Sequence, residues 1–327
     1  MIISLKRVRN LKDGRFKMKK IPVWIDTDTG VDDAVALVTA THLEELNIVG
    51  VSAVSGNTSL ENAFRNARDV LALVGRKDIK VYPGSDRPLV VPLRTAAHVH
   101  GQNGLGGAEI PLSDAPLETM KAWDALYEAA KEYKGELVVC PIGPLTNIAI
   151  TIAKHPDIVD YIKEINMMGG AADGGNITPC AEFNVYVDPH AAENVFKSGI
   201  PVNMFGLDVT LKAYLDDDDI AEISSYGNPV SDLFRDSNHL IYEVRERLHF
   251  SGLAEHDSCP IVYTAHPDWF EGHKCGIFLE TQGTITLGKT VTDLWTDFKY
   301  KDRHCQVFLD LQRDKFMNLI KEAYRSH

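Results

Sequence analysis

Four aspartates lie within eight residues near the start of the chain, in the segment IDTDTGVDD at 25–33. Asp26, Asp28, Asp32 and Asp33 repel one another at neutral pH, so a compensating positive charge is expected beside them. Oxygen-rich clusters of this kind select hard cations such as Ca²⁺ or Mg²⁺. The spacing therefore predicts a cation site. The structural alternative is that the last two aspartates only cap a helix, whose dipole favours acidic groups in its first turn.

The elements around this cluster would bring it to the edge of a sheet. The apolar run IPVWI at 21–25 predicts a strand, and Val31, Val35 and Val38 follow it at helical spacing. A strand that turns through Gly30 into a helix leaves its acids at the carboxyl end of the strand. Open α/β sheets bind their ligands at that end.

Strand and helix patterns alternate over the first two hundred residues. Strands are predicted at 21–26, 48–52, 80–82, 137–140, 164–168 and 202–204, and helices at 32–43, 60–74, 119–133, 145–153 and 189–198, with a further helical pattern at 231–249. Such alternation favours a mainly parallel sheet covered by helices. We therefore predict a single α/β domain with a Rossmann-like central sheet and an active site at the carboxyl edge of its strands.

Composition limits the partners of this domain. The 327 residues carry a net charge of −12 with a pI of about 5.4, which argues against nucleic acid or an anionic membrane surface as a partner. No apolar run is long enough to span a bilayer. Five scattered cysteines without a C-x-x-C pair favour reduced thiols in the cytoplasm.

The first twenty residues are rich in Lys and Arg and lack the apolar core of a secretory signal. We predict that residues 1–20 form a disordered extension, with Met18 as an alternative start, and that the domain covers 21–327.

Two polar segments follow in the first half of the chain. Asn57 lies in SGNT at 55–58, which read alone is a helix-capping turn. The segment HVHGQNGLGG at 98–107 places two histidines before a glycine-rich loop, and these could bind a metal ion. The loop lacks the order G-x-G-x-x-G, so a loop that covers a substrate is favoured over a dinucleotide site.

Two more segments lie in the second half. Asn176, Glu182 and Asn184 place hydrogen-bond donors and acceptors within nine positions, which suits a polyol such as a sugar, although a polar surface loop is the alternative. His256 and Asp257 could join an acid–base catalyst to a metal ligand, but the dipeptide alone is weak support. The acidic run at 216–219 precedes a helical pattern and is best explained as a solvated helix N-terminus.

Taken in order, these segments resemble the nucleoside hydrolase family of inosine–uridine-preferring N-ribohydrolases. The opening motif of that family, D-x-D-P-G-x-D-D, stands here as DTDTGVDD at 26–33. The further matches are GNT at 56–58, VHG at 99–101, GPLTNIA at 143–149, MGG at 168–170, AEFN at 181–184 and HD at 256–257. They cover most of the chain, and together they are specific to the family.

The resemblance implies a Ca²⁺-dependent hydrolase that splits ribonucleosides into ribose and a free base. One Ca²⁺ would be held by Asp28, Asp33, Asp257 and the main-chain carbonyl of Ile142, with water and two ribose hydroxyls completing the coordination. Asp28 would also act as general base toward the attacking water. Asp32 would bind a ribose hydroxyl.

The resemblance also implies roles around the sugar and the base. Asp26 and Asn57 would support the acids from behind. Ribose would be bound by Asn176, Glu182 and Asn184, in a pocket lined by Met168 and Phe183. His100 and His256 would face the leaving base, with His256 as the proton donor. A homodimer or homotetramer is expected.

Three positions depart from the family pattern. Thr29 replaces a proline, Ile142 stands where threonine is common, and SCP follows His256-Asp257 in place of the commoner PLA. The ligand at 142 is a carbonyl oxygen, so that change should matter little. Tyr242, Arg245 and His249 precede the histidine and leave the base preference open. Retention of His256 favours non-specific or pyrimidine-leaning members over purine-specific ones.

Two other functions compete with this interpretation. A haloacid-dehalogenase-type phosphatase has a D-x-D-x-T motif, the start of which matches Asp26 and Asp28, but it leaves Asp32 and Asp33 without a role. A non-catalytic protein that binds nucleosides or ribose on the same fold is the second alternative.

Overall fold

The computed structural model describes residues 19–239, 252–294 and 305–327, together with the backbone at 8–9 and 16–17. The strands of these residues are, after the short N-terminal pair, Ile21–Thr27 (β1), Leu46–Ala53 (β2), Val81–Pro83 (β3), Leu137–Pro141 (β4), Ile162–Met168 (β5), Val202–Phe205 (β6), Tyr214–Leu215 (β7), Leu253–Ala254 (β8), Phe270–Leu279 (β9), Thr290–Asp293 (β10) and Cys305–Leu311 (β11).

The α-helices of the described ranges follow the same chain order. They are Val31–His42 (α1), Leu60–Leu73 (α2), Ala97–His100 (α3), Ala122–Tyr133 (α4), Thr146–Lys154 (α5), Phe183–Val187 (α6), Pro189–Lys197 (α7), Leu207–Thr210 (α8), Asp217–Ser224 (α9), Pro229–Ser237 (α10), Ser258–Ala265 (α11) and Arg313–Arg325 (α12). Short 3₁₀ turns cover Pro156–Asp160 and Pro267–Trp269. Within the described ranges, no helix could cross a lipid bilayer, judged by its length and hydropathy.

One sheet of nine strands organises the described residues, in the order β10-β9-β11-β6-β5-β4-β1-β2-β3. The strands from β11 to β3 pair in parallel, and β9 and β10 add an antiparallel edge. The mainly parallel α/β architecture is thus confirmed. Strands β7 and β8 form a separate antiparallel pair.

Helices cover both faces of the sheet. Consecutive side chains of a strand point to opposite faces, so a strand of continuous apolar residues must be buried on both. In β1, Val23 and Ile25 join the core cluster beneath α1, α2 and α12. Trp24 points the other way and packs with residues of α4, α5 and α7. This double coverage explains why the predicted strands contain nearly continuous apolar runs.

The predicted elements are confirmed with small shifts at their ends. The helix expected at 119–133 begins at Ala122. The pattern at 231–249 corresponds to α10 as far as Ser237, and its part at 240–249 lies outside the described residues. The predicted disorder of 1–20 stays a prediction, although Val8–Arg9 and Phe16–Lys17 pair as short antiparallel strands.

The acidic run at 216–219 begins α9, as predicted. The Asp216 carboxylate accepts a hydrogen bond from the Asp219 N–H at 3.0 Å. Asp219 is only 8% exposed, and its carboxylate pairs with Arg313 and Lys321. This helix N-terminus is therefore neutralised by two cations and is less solvated than expected.

Candidate functional site

The acidic segment occupies the turn between β1 and α1, as the sequence predicts. Asp33 holds the turn closed: its carboxylate accepts hydrogen bonds from the Thr27 hydroxyl at 2.6 Å and from the Gly30 N–H at 2.8 Å. A third donor, the Asn57 side-chain amide, lies 3.0 Å from the same carboxylate. Asp33 thus caps the helix and at the same time faces the carboxyl edge of the sheet.

Asp28 lies in a tight space between two glycines. One carboxylate oxygen, Oδ2, accepts a hydrogen bond from the Asn57 N–H at 2.5 Å, whereas the buried Oδ1 has no partner among the described residues. A Cβ added at Gly143 would lie 2.7 Å from Oδ1, and one added at Gly56 would overlap Oδ2. Backbone without side chains is therefore required on both sides of this carboxylate.

Asp257 joins the cluster from the far end of the sequence. It follows β8 and directly precedes α11. Carboxylate oxygens of Asp32, Asp33 and Asp257 lie within 4.8 Å of one another. Asp28 lies beside this group of three and interacts electrostatically with Asp33 and Asp257. The three acids expected to hold the ion, Asp28, Asp33 and Asp257, thus lie near one another, together with Asp32, which is expected to bind ribose.

Burial and mutual repulsion both act on the charges of these carboxylates. Burial raises the pKa of Asp28 and Asp257 well above the usual range of an aspartate, and repulsion from the neighbouring carboxylates raises it further. Burial likewise raises the pKa of Asp32 and Asp33. Across the described ranges, no lysine or arginine forms an ion pair with any of these four acids.

This donor set suits a hard divalent cation. The buried Oδ1 atoms of Asp28 and Asp32 have no hydrogen-bond partner among the described residues, so these oxygens have lone pairs available for a cation. Ile142 directly follows β4, where its N–H donates to the carbonyl of Asp26 at 2.7 Å, and its own carbonyl accepts from the Asn184 side-chain amide at 3.0 Å. Carboxylate and carbonyl oxygens are the ligands that Ca²⁺ takes in proteins.

Asp26 lies behind the cluster, within β1, and is fully buried. Its carboxylate accepts hydrogen bonds from the Ser52 hydroxyl and, at 2.7 Å, from the Asn147 side-chain amide. Burial raises the pKa of Asp26 from 3.8 to about 7. Ser52 and Asn147 were not predicted as site residues, and the only signal for Asn147 is its place in the segment GPLTNIA.

The raised pKa of Asp26 has a measurable consequence. An acid that binds its proton more tightly in the folded chain makes the free energy of unfolding fall as pH rises from 3.8 to about 7. At about 1.4 kcal/mol per pKa unit, the loss amounts to a few kcal/mol. We expect Asp26→Asn to remove this contribution of Asp26 to the pH dependence of the unfolding free energy, measured in chelator-treated protein. Denaturant unfolding at pH 5 and pH 8 checks this, and parallel pH dependences of variant and wild type would contradict it.

The residues expected around a sugar meet at the ends of β4 and β5. The Asn184 side-chain amide donates to the carbonyl of Ile142 at 3.0 Å and to that of Met168 at 3.3 Å. The Asn176 side-chain oxygen accepts from the N–H of Phe183 at 2.9 Å. Both asparagines therefore fix the loop at 169–182 against the end of the sheet.

The side chain of Glu182 binds three backbone N–H groups. Its carboxylate accepts hydrogen bonds from the N–H groups of Gly170, Asn184 and Val185 at 2.8, 2.9 and 3.2 Å. It is therefore the N-cap of α6 as well as a candidate sugar ligand. Burial raises its pKa, while the three N–H donors lower it. The sequence does not reveal this second use of the side chain.

His100 ends α3 and contacts the acidic turn. Its Nδ1 accepts a hydrogen bond from the Val31 N–H at 3.1 Å, at the start of α1. The same nitrogen lies 4.0 Å from the carboxylate of Asp32. Burial lowers the pKa of His100 from 6.5 to about 4. His100 is thus a neutral acceptor that positions the helix and leaves Nε2 for other contacts.

The glycine-rich loop after His100 is tied to the same turn. The Asn66 side-chain amide donates to the carbonyl of Thr29 at 3.2 Å and to that of Asn103 at 2.8 Å. In turn, the Asn103 side-chain oxygen accepts from the N–H groups of Leu105 and Gly107, each at 3.0 Å. The loop at 101–107 is therefore folded against the site. Nothing in the sequence alone singles out Asn66.

His256 lies near the acids, since the charge of Asp32 acts on its ring. Its Nδ1 lies 2.7 Å from the hydroxyl of Thr210, a residue that the sequence did not indicate. Burial lowers the pKa of His256, and the nearby charge of Asp32 opposes this effect. The preceding residue, Glu255, is 2% exposed and was also not predicted. Tyr242, Arg245 and His249 lie outside the described residues.

Known proteins are similar to this chain in sequence and in fold. The family model for inosine-uridine preferring nucleoside hydrolases matches residues 23–318. The pyrimidine-specific ribonucleoside hydrolase RihA of Photobacterium profundum is 40% identical, over 94% of this chain and 99% of the relative. RihA of Shewanella sp. (strain MR-7) is 38% identical, over 92% of this chain and 95% of its own length.

Solved structures of nucleoside hydrolases superpose closely on this chain. A plant nucleoside hydrolase, PpNRh1, matches with a TM-score of 0.88 at 28% identity, over 94% of this chain and all of that one. A purine-preferring ribonucleoside hydrolase from Gardnerella vaginalis matches with a TM-score of 0.87 at 30% identity, with the same coverage.

Proposed function

This chain is a nucleoside hydrolase of the inosine-uridine preferring family, and from that premise we propose that it hydrolyses pyrimidine ribonucleosides with one bound Ca²⁺. The observation that carries the proposal is the cluster of buried carboxylates, which has no lysine or arginine partner among the described residues and lies near His256. The choice of pyrimidines is supported by relatives that are 36–40% identical and are named pyrimidine-specific.

In this proposal the ion is held by Asp28, Asp33, Asp257 and the Ile142 carbonyl, with Asp32 beside them. When bound, it would supply Lewis acidity that lowers the pKa of water and would orient the ribose hydroxyls. Six to eight oxygen ligands are usual for Ca²⁺, so water and substrate have room in its coordination. Asp26 and Asn57 hold these ligands from behind.

Asp28 acts as the general base. The Asn57 N–H fixes one oxygen of its carboxylate, and the other oxygen remains to accept a proton from the attacking water. The water oxygen forms the new bond to ribose C1′. The bond from C1′ to the base nitrogen breaks, and its electron pair goes to the base.

The ribose is bound by Asp32, Asn176, Glu182 and Asn184, between Met168 and Phe183. Positive charge develops on the sugar as the base departs, and buried carboxylates stabilise that charge in the transition state. His256 donates a proton to the leaving base, and Nε2 of His100 faces the same region.

A comparison of substrates tests the proposal. We expect kcat/KM for uridine and cytidine to exceed that for inosine and adenosine by at least about tenfold. The loss of one or two polar contacts to a base corresponds to discrimination of this size. Release of ribose, measured side by side for the four nucleosides, gives the ranking. Faster turnover of inosine or adenosine would overturn the pyrimidine preference and leave the hydrolase assignment intact.

The alternative functions are tested with the same preparation. Family membership argues against a haloacid-dehalogenase-type phosphatase, and p-nitrophenyl phosphate with Mg²⁺ should not be turned over. A binding protein without activity would hold uridine and release no ribose. The homodimer or homotetramer and the cytoplasmic location stay predictions, which light scattering and cell fractionation can check.

A further inference from the structure

The ring of His256 is held by one buried hydroxyl. Nδ1 of His256 and Oγ1 of Thr210 are 2.7 Å apart, and Thr210 is fully buried. Among the described residues, this is the only hydrogen bond that the imidazole makes. The contact therefore decides which ring nitrogen is turned toward the carboxylate cluster.

The backbone brings these two residues together. Strand β8, which precedes His256, pairs with β7, which follows Thr210. The ladder continues for one more bond, from the Glu255 N–H to the Ala213 carbonyl at 2.7 Å. The position of His256 opposite the end of α8 is therefore fixed by main-chain hydrogen bonds, before any side chain contributes.

Helix α8 is itself anchored at the site. The carboxylate of Asp208 accepts hydrogen bonds from the N–H groups of Ala172 and Asp173, at 2.7 and 3.0 Å. These residues belong to the loop that leads to Asn176 and Glu182. One short helix thus connects the loop expected to bind ribose with the histidine expected to face the base.

We propose that Thr210 is a positioning residue that holds His256 so that Nε2 points at the leaving base. This inference rests on the proposed function. In the reactive state the ring is an imidazolium with a proton on each nitrogen. Nδ1–H donates to the Thr210 hydroxyl, and Nε2–H is directed at the substrate. As the bond from C1′ to the base nitrogen breaks, the Nε2 proton moves to the base. The ring is left neutral with its Nδ1–H still bound to Thr210.

A threonine suits this task for two reasons. Its hydroxyl accepts the Nδ1–H bond without adding a negative charge, whereas a carboxylate would retain the proton on the ring. Its β-branched side chain restricts χ1, which limits the positions that the oxygen can take. Valine has nearly the same shape and lacks the hydroxyl, which makes Thr210→Val a suitable probe, and Thr210→Ser restores the hydroxyl.

The test compares two substrates with different leaving groups, using the Ca²⁺-loaded full chain. For Thr210→Val we expect kcat on uridine to fall by about 100-fold, the scale of a general acid's contribution, with KM nearly unchanged. Activity on p-nitrophenyl β-D-ribofuranoside should stay close to wild type, because p-nitrophenolate leaves without a proton donor. Thr210→Ser should recover most of the uridine activity.

Thr151→Val is the matched control, because Thr151 is equally buried and, within the part of the chain that the structure describes, its hydroxyl bonds only to the Asn147 carbonyl, at 2.7 Å. We expect it to leave both activities near wild type. Equal losses on both substrates in Thr210→Val, or no loss on uridine, would overturn the proposal. So would a failure of Thr210→Ser to recover activity.

A spectroscopic readout separates this inference from the proposed function. In protein with ¹⁵N-labelled histidine, the ring resonances of His256 can be assigned by comparison with His256→Gln. We expect Thr210→Val to shift the Nδ1 resonance of His256 and Thr210→Ser to restore it. An unchanged resonance in Thr210→Val would refute the hydrogen bond, even if the wild-type chain cleaved neither substrate.

Discussion

Asp28→Asn should reduce kcat for uridine by about three orders of magnitude, within the range that a general base contributes. The amide is close in size to the carboxylate and still offers an oxygen to the Asn57 N–H. It cannot accept a proton from water. Asp28 is also a proposed Ca²⁺ ligand, so the assay is run at saturating Ca²⁺. Under that condition we expect a folded protein that binds substrate with a KM within a few-fold of the wild-type value.

The control for this variant is Asp69→Asn. Asp69 is a buried acid, 3% exposed, whose carboxylate accepts a hydrogen bond from the Ser113 N–H at 2.7 Å, away from the acidic cluster. Its replacement should leave kcat within about twofold of wild type. If Asp28→Asn kept more than a tenth of the wild-type kcat, Asp28 would not be the base.

Asp257→Asn should weaken Ca²⁺ binding by about 100-fold or more, because Ca²⁺ affinity depends strongly on the number of charged ligands. Without the Asp257 carboxylate, uridine turnover should also fall at limiting Ca²⁺. Excess Ca²⁺ should restore part of that turnover. The carboxylate of Asp257 lies with those of Asp32 and Asp33 in the cluster. Calcium titrations followed by calorimetry and by activity give both quantities.

Asp216→Asn is the matched control for the calcium measurement. It lies in the other run of aspartates, at the start of α9, where Asp216 acts as an N-cap and asparagine can replace it. Calcium affinity should not change in this variant. A similar loss of affinity in Asp216→Asn and Asp257→Asn would indicate that general acidity, and not this cluster, binds the ion.

Much of the fold follows from local patterns. The apolar run before Asp26 and the spacing of Val31, Val35 and Val38 are enough to predict β1, the turn and α1. The alternation of such units leads to a parallel sheet, because a strand and a helix that each bury one side must cover one another. The carboxyl edge then brings the acidic turn close to Asn57 and Ile142.

The hydrogen-bond partners in the site could not be predicted in this way. Glu182 accepts a hydrogen bond from the Gly170 N–H at the end of β5, and His100 accepts one from the first N–H of α1. Both of these bonds join separate elements and form only where the folded chain brings those elements together. The residue type limits what a side chain can bind, whereas tertiary packing decides which partner is within about 3 Å.

Thr210 is the clearest example of a contact in the site that the sequence alone does not predict. It stands in a short helix with no motif around it, and its hydroxyl matters only because β7 and β8 pair and bring His256 beside it. Asp257 was identified through the resemblance to a family, since a histidine–aspartate dipeptide alone is weak support. Its place among Asp32 and Asp33 is a property of the folded chain.

The central claim, that the buried carboxylates hold one Ca²⁺, is tested most directly by calorimetric titration of the chelator-treated chain. We expect one ion per chain and release of protons near pH 7, because acids with raised pKa values must lose protons to bind the cation. The proton release should shrink as pH rises. Absence of Ca²⁺ binding, or full uridine turnover after complete removal of metal, would contradict the claim.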